Sequence, residues 1–174
     1  MKKLYTPTTT YLFLFLITLF LYSCSVSRIY VIRHAQKENT ADNPHLTSDG
    51  QRRAIALCDT MLNKKISFVY STDSNRTVET VRPTANRLGL QIKRYANDTL
   101  DKFVTHVKNI SGKNILIVGH STTVIQMLDL FGVTHSITHI NDNDYDNLFV
   151  ITRSKRNGTV SYSLRETTYG DPSP

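Results

Sequence analysis

Three short motifs place a cation or an imidazole at the end of an apolar run. The first is Arg33-His34, directly after the run 29–32. Arginine presents a planar fork of donors that suits phosphate oxygens, and histidine is a nucleophile and proton carrier near neutral pH. Because ligands of an open parallel sheet bind at the carboxyl ends of its strands, this pair is a candidate phosphate site. Taken alone, such a pair is more often incidental, at the end of a strand that simply stops in polar residues.

Two further motifs repeat this arrangement along the chain. Arg76 follows the apolar run 66–70, and Gly119-His120 follows the run 115–118; each precedes a helical pattern. In this order the three motifs resemble the histidine phosphatase superfamily, the phosphoglycerate mutase-like proteins. The segment 44–51 is similar to that family's Leu-Thr-x-x-Gly entry to its first helix. The resemblance covers residues 28–170.

The resemblance implies a mechanism and a role for each site residue. His34 would attack phosphorus and form a phosphohistidine, while Arg33, Arg76 and His120 would bind the phosphoryl oxygens without a metal or other cofactor. Many family members use a carboxylic acid, often a glutamate, to protonate the leaving group. Residues 95–101 contain no glutamate, so Asp98 is the catalytic candidate and Asp42 the second. Small members such as phosphohistidine phosphatases lack an evident acid, and that alternative also stays open.

The elements that position these residues alternate between strand and helix patterns. A helix capped by Thr47 is predicted to end near Lys64, and a second helix runs from Asp73 or Ser74 through Pro83 to a stop at Gly89. The remaining predictions are strands at 66–70, 90–95 and 115–118, helices at 98–110 and 121–131, a loop at 134–147, and a hairpin of 148–152 and 160–164 around Asn157-Gly158. This order predicts an α/β fold: a three-layer α/β/α sandwich whose mostly parallel sheet carries a C-terminal antiparallel hairpin.

The first 23 residues are predicted to be a signal peptide. Lys2-Lys3 precedes an apolar run at 12–22, and Leu21-Tyr22-Ser23-Cys24 resembles a bacterial lipobox with Cys24 as the lipidated residue. An ordinary cleaved signal and an uncleaved anchor are the alternatives. The predicted organisation is thus a leader (1–23), a lipidated cysteine with a short tether (24–27), a phosphatase domain (28–170) and a frayed tail (171–174). It places the protein in a bacterial cell envelope, lipid-anchored to a membrane and facing the periplasm.

The charge pattern, the cysteine content and the acidic loop argue against other classes of function, among them nucleic-acid binding and calcium binding. The 174 residues carry a formal net charge of +7 without a long basic run, so a nucleic-acid stripe is not expected. We interpret Arg52-Arg53 and Lys64-Lys65 as solvated helix-face residues and Cys58 as a core residue. The acidic loop from Asp142 lacks the glycine and glutamate of an EF-hand, which excludes that calcium site.

The function predicted from these observations is hydrolysis of a small phosphorylated substrate, either a phosphomonoester or a phosphoramidate. A membrane-tethered protein that binds a phosphate ligand without turnover is the alternative from another class. Phosphoglycerate mutase activity is a weaker one, because the predicted export, the compact chain and the missing glutamate disfavour it.

Overall fold

The protein is described by a computed structural model for residues 25–39 and 42–173. Its centre is a six-stranded sheet in the order β3-β2-β4-β1-β5-β6. The strands are β1 (Ser25–Arg33), β2 (Ile66–Ser71), β3 (Ile92–Arg94), β4 (Asn114–Gly119), β5 (Asn147–Arg156) and β6 (Thr159–Thr168).

In the sheet order, the first four strands (β3, β2, β4 and β1) are parallel to one another. The last two, β5 and β6, each run antiparallel to the strand before them. β1 pairs in parallel with β4, and β2 pairs in parallel with both β4 and β3. β5 runs antiparallel to β1, and the β5–β6 hairpin turns at Asn157 and Gly158, both with positive φ. The predicted mixed sheet and hairpin are therefore confirmed, with longer hairpin strands than the apolar runs alone indicated.

Within the described residues, four α-helices cover the two faces of the sheet. They are α1 (Ser48–Met61), α2 (Asn75–Leu88), α3 (Leu100–Asn109) and α4 (Ser121–Phe131). One buried cluster joins α3 and α4 to one sheet face, and a second joins α1 and α2 to the other. The three-layer α/β/α sandwich is thus confirmed.

Local signals explain where several helices begin and end. Thr47 accepts a hydrogen bond from the Gly50 amide and caps α1 as predicted. Gly89 and Gly132 stop α2 and α4 in the left-handed conformation. Pro83 stays inside α2. α1 ends at Met61 rather than near Lys64, because the chain turns through Lys65, whose φ is 50°.

Three predictions about individual segments are wrong. Ser25–Ser27 form no tether, since they pair with β5 as the first residues of β1. The tail does not fray at Asp171, because the Ser173 hydroxyl accepts a hydrogen bond from the Tyr145 amide. Arg53 is not solvated: it is 6% exposed and donates to the Gln36 side chain and the Tyr169 carbonyl.

The predicted signal peptide and Cys24 lie outside the described residues. Within 25–39 and 42–173, no helix is long and apolar enough to cross a bilayer.

Candidate active site

Adjacent strands deliver the two histidines to one edge of the sheet. β1 ends at Arg33 and β4 ends at Gly119, and these two residues are partners in the strand pairing. The His34 amide donates to the Gly119 carbonyl over 3.0 Å. His34 and His120 therefore leave neighbouring strands side by side, and their ring centroids lie 5.6 Å apart. This is the carboxyl edge, where a parallel sheet is expected to bind its ligand.

The hydrogen bonding of His34 fixes its tautomer. Its Nδ1 lies 2.8 Å from the Ala35 carbonyl oxygen, which can only accept, so Nδ1 carries the proton. In the neutral ring, Nε2 then holds a free lone pair. Burial lowers the pKa of His34 to about 3, and the nearby cations Arg33 and Arg76 act in the same direction. At neutral pH, His34 is therefore a neutral, oriented imidazole whose Nε2 lone pair is available.

His120 is held in the opposite tautomer. Nη2 of Arg76 donates to its Nδ1 over 3.3 Å, so Nε2 carries the proton and donates to the Thr72 hydroxyl over 3.1 Å. Burial, followed by Arg76 and Arg33, lowers the pKa of His120 to about 4. The single N–H of this ring is thus directed at Thr72, and α4 begins with the next residue, Ser121.

The two arginines leave hydrogen-bonding capacity unused. Nε of Arg33 and Nε of Arg76 are both buried, and neither has a partner within the described part of the chain. Burial, with Arg33 as the neighbouring like charge, lowers the pKa of Arg76. Arg33 is buried and Arg76 is half-buried, and each has a buried free donor. An oxyanion that accepts from both would stabilise them, and a phosphoryl group supplies three such oxygens.

The loop after α4, residues 133–146, forms one side of the site around Arg33 and His34. The sequence did not predict this contact. Nη1 of Arg33 donates to the Asn141, Asp142 and Asp144 carbonyls at 2.7–3.1 Å. The Tyr145 ring lies 4.4 Å from the Arg33 guanidinium carbon and 6.2 Å from the His34 ring. This contact fixes the guanidinium while Nε remains free. The sequence shows the loop only as a polar stretch, without a motif that pairs it with Arg33.

Residues of α1 and α2 hold the chain immediately after His34. The Thr80 hydroxyl accepts from the Ala35 amide over 2.9 Å and donates to the Arg76 carbonyl over 2.6 Å. A Cβ on Gly50 would lie 2.1 Å from the Gln36 carbonyl oxygen, so only glycine lets α1 approach this loop. A Cβ on Gly119 would meet the Thr123 hydroxyl at 2.7 Å and the Tyr95 hydroxyl at 2.9 Å. The backbone around both histidines is therefore tightly fixed.

The structure thus brings together Arg33, His34, Arg76 and His120, but it does not tie either acid candidate to them. Asp98 lies in a 3₁₀ turn, Asn97–Thr99, before α3. Asp42 lies in the loop after β1, and both side chains are exposed. Over residues 25–39 and 42–173, no hydrogen bond or ion pair links them to the four. Asp142 is the carboxylate beside the site, 3.9 Å from Nη2 of Arg33 and fully exposed.

No metal-binding arrangement accompanies this site in the part of the chain that the structure describes. There, no group of three or more histidine, cysteine, aspartate or glutamate side chains is arranged to hold an ion. Arg33 and Arg76 supply positive charge around the proposed phosphate position, while both histidines are neutral near pH 7.

Comparison with known proteins places this geometry in context. The family model described as the histidine phosphatase superfamily (branch 1) matches residues 29–97, which include Arg33, His34 and Arg76. No curated protein matches the chain.

Solved structures share the fold at low sequence identity. The protein histidine phosphatase SixA, complexed with tungstate, is 11% identical with a TM-score of 0.60, covering 81% of this chain and 96% of its own. A mycobacterial glucosyl-3-phosphoglycerate phosphatase is 10% identical with a TM-score of 0.63, covering 83% and 100%. The protein YhfR of Bacillus stearothermophilus is 14% identical with a TM-score of 0.56, covering 78% and 94%. At these identities the likeness establishes the fold, and the superfamily match over residues 29–97 supports a phosphatase.

Proposed function

We propose that this protein is a metal-independent phosphatase that hydrolyses phosphomonoesters or phosphoramidates through a phosphohistidine on His34. The observation that carries the proposal is the Nδ1–H donation of His34 to the Ala35 carbonyl. It leaves Nε2 unprotonated on a largely buried ring, near two arginines whose Nε donors are free. A nucleophile needs that lone pair, and a displaced phosphoryl group needs those donors.

The reaction then proceeds in two balanced steps. The Nε2 lone pair of His34 attacks phosphorus, the N–P bond forms, and the P–O or P–N bond to the leaving group breaks. Arg33, Arg76 and His120 stabilise the charge on the three phosphoryl oxygens. Water next attacks phosphorus and loses one proton, the N–P bond breaks, and inorganic phosphate is released with His34 neutral again. The leaving group takes one proton, for which Asp98 remains the predicted donor, and the proton from water restores that donor.

Trapping the intermediate tests this proposal. Full-length protein mixed briefly with phosphorus-labelled acetyl phosphate or p-nitrophenyl phosphate and quenched with alkali should carry an acid-labile label on His34. His34→Ala should remove both label and turnover while keeping the fold by circular dichroism. His106→Ala, in an exposed histidine of α3, is the matched control. Turnover retained by His34→Ala would overturn the mechanism. Phosphate binding without turnover in the wild-type protein would support the non-catalytic binding alternative.

We further propose that Cys24 is lipidated and that the protein faces the periplasm of a bacterial cell envelope. The basis is the sequence alone: Lys2-Lys3, the apolar run 12–22 and the residues 21–24. Labelled palmitate should enter the wild-type protein in cells and should not enter Cys24→Ser. Equal labelling of the two would exclude the lipid anchor.

A further inference from the structure

Among the described residues, most carboxylates lie at one edge of the sheet, and a group of exposed cations lies at the other. The four parallel strands begin at the amino edge, where β5 ends and β6 begins, and the helices return to that edge. The carboxyl edge holds the site and most of the carboxylates. On its loops and first helical turns lie Glu38, Asp42, Asp49, Asp73, Asp98, Asp101, Asp142, Asp144, Asp146 and Asp171.

The amino edge carries exposed cations instead. We define the basic edge by its five exposed cations in the connecting turns and at the end of β5: Lys64, Lys65, Lys113, Lys155 and Arg156. Two carboxylates, Asp59 and Asp129, lie near this edge in the last turns of α1 and α4. Asp129 is already paired with His135 over 3.1 Å. The basic edge is therefore a net positive surface on the side of the molecule opposite the site.

Backbone contacts bring these separate turns together. The Asn114 side chain accepts from the Arg28 amide over 2.8 Å and donates to the Lys64 carbonyl over 2.7 Å. Ser25 pairs with Lys155 across β1 and β5, and its hydroxyl lies 3.0 Å from the hydroxyl of Ser111. The cations of the α1–β2 and α3–β4 connections thus lie beside β1, whose first residue is Ser25.

The position of Ser25 indicates which kind of surface the basic edge contacts. Residues 1–24 join the domain at this edge, and their sequence contains Lys2, Lys3 and the apolar run 12–22. Because Ser25 already belongs to β1, no linker separates the basic edge from that segment. We propose that the basic edge docks on an anionic phospholipid surface, so that the carboxyl edge with His34 faces away from the bilayer.

Distance makes this orientation compatible with an anionic substrate. Strand β4 spans six residues, so the site lies roughly 15–20 Å from the basic edge. The Debye length at physiological ionic strength is about 8 Å. The cations therefore touch the lipid phosphates, whereas the surface potential is screened at His34 and does not repel a phosphorylated substrate.

Vesicle flotation of the full-length protein tests the proposal. The partition ratio is measured for vesicles of phosphatidylcholine alone and for vesicles that also contain phosphatidylglycerol. A lipid or the apolar run of the leader contributes equally to both, so the anionic-to-neutral quotient isolates the charge effect; Lys2 and Lys3 contribute the same factor to every variant. Each lysine or arginine near such a surface is expected to raise the quotient about fivefold. The wild-type quotient should exceed tenfold and approach one in high salt.

Two triple variants distinguish an effect of the basic edge on vesicle binding from an effect of the protein's net charge. Lys113→Gln/Lys155→Gln/Arg156→Gln should reduce the quotient at least tenfold, with unchanged melting and unchanged phosphatase activity in solution. The control removes three exposed cations elsewhere, as Arg82→Gln/Lys93→Gln/Lys102→Gln, and should retain the quotient. A wild-type quotient near one, or equal losses in both triples, would overturn the proposal. Capture of duplex DNA that is lost in the first triple, without vesicle selectivity, would assign the edge to nucleic acid and would also overturn it.

Discussion

His34 combines two conditions that oppose each other in a folded protein: it is buried, and it lies next to positive charge. It is 4% exposed, so most of its ring is removed from water, yet it lies beside two arginines and a second imidazole. Burial of a group among like charges disfavours its protonated form, so the ring stays neutral. The same arrangement makes folding less favourable in acid, because the unfolded chain can protonate both histidines and the folded chain cannot.

Acid should therefore destabilise the protein by an amount that these two residues account for. The pKa is lowered from 6.5 to about 3 for His34 and to about 4 for His120. Below pH 6.5 the unfolded state binds more protons, so the free energy of unfolding falls as pH falls. Near pH 5 the slope should reach about 1.4 kcal/mol per pH unit for each histidine.

Urea unfolding of the full-length protein at pH 5, 6 and 7 measures this slope. His34→Gln and His120→Gln should each flatten it, and the double variant should flatten it most. His135, whose pKa is raised by Asp129, contributes in the opposite sense, and His135→Gln should steepen the slope. An unchanged slope in the double variant would refute the assigned protonation states. Inorganic phosphate should reduce the slope in the wild-type protein, because its charge favours protonated histidines.

Proton donation by Asp98 is the second prediction at this scale. A general acid contributes about 10²–10⁴-fold, and most when the leaving group is strongly basic. Asp98→Asn should therefore slow an alkyl phosphate at least tenfold more than p-nitrophenyl phosphate. Asp42→Asn is the parallel variant. Equal slowing of both substrates would make Asp98 a binding or folding residue. Unchanged rates in both variants would favour phosphoramidates and activated esters as substrates.

The sequence predicted the four residues that meet, but not their surroundings. Arg33, His34 and His120 follow strand ends, and Arg76 lies near the start of a helix after a strand, which is a local pattern. Tyr145 and the carbonyls of its loop reach Arg33 from more than a hundred positions away, and no spacing indicates such a contact. Arg53 resembled a surface residue because its partners, Gln36 and Tyr169, come together only in the folded chain.

At the scale of elements, one hydroxyl couples β1 to α2. The Thr80 side chain accepts from the amide that follows His34 and donates to the carbonyl of Arg76. It therefore relates the nucleophile to a phosphate-binding arginine through a strand end and a helix. Thr80 itself is fully buried, so water cannot replace the bond to Ala35.

Thr80→Val should destabilise the protein by about 1–3 kcal/mol, because a buried amide loses its acceptor while the side-chain shape is kept. That corresponds to a melting temperature about 2–12 °C lower for a chain of this size. Thr105→Val is the matched control: it removes the same kind of helical back-bond on an exposed face of α3 and should have little effect. Calorimetry measures both. Equal losses would show that the bond to the Ala35 amide contributes nothing.

Periodicity and turn residues predicted most elements, because apolar spacing, Thr47, Gly89 and Asn157-Gly158 act locally. The segments that sequence could not place are the ones held by distant partners. Ser25–Ser27 become strand only because β5 offers them a neighbour, and the tail is held because Ser173 meets Tyr145 and Asp146.

At the scale of the molecule, both apolar layers share the central strands. Leu57 belongs to the cluster under α1 and α2, and Leu128 to the cluster under α3 and α4. Strands β1 and β4 contribute residues to both clusters, so neither layer can lose its packing without the other. A single cooperative transition follows.

Truncation on either face should therefore lower one common melting temperature. Leu57→Ala and Leu128→Ala are each expected to reduce the free energy of unfolding by about 2–5 kcal/mol. Leu130→Ala, at a residue 38% exposed, should reduce it far less. Far-ultraviolet circular dichroism and tyrosine signals should change together in every variant. Two separated transitions after either core truncation would show that the layers unfold independently.

The sheet order also determines when a growing chain can fold. β1 emerges early from the ribosome, yet its two neighbours are β4 and β5: Ile29 pairs with Ile115 on one side and Ile151 on the other. At about 5–20 residues per second, the strand that carries His34 waits on the order of 10 s for its second partner. Throughout that interval β1 lacks its β5 partner, and its apolar side chains and unpaired backbone can contact chaperones, other unfolded chains or a translocation channel. The site around His34 is therefore assembled only when synthesis is nearly complete.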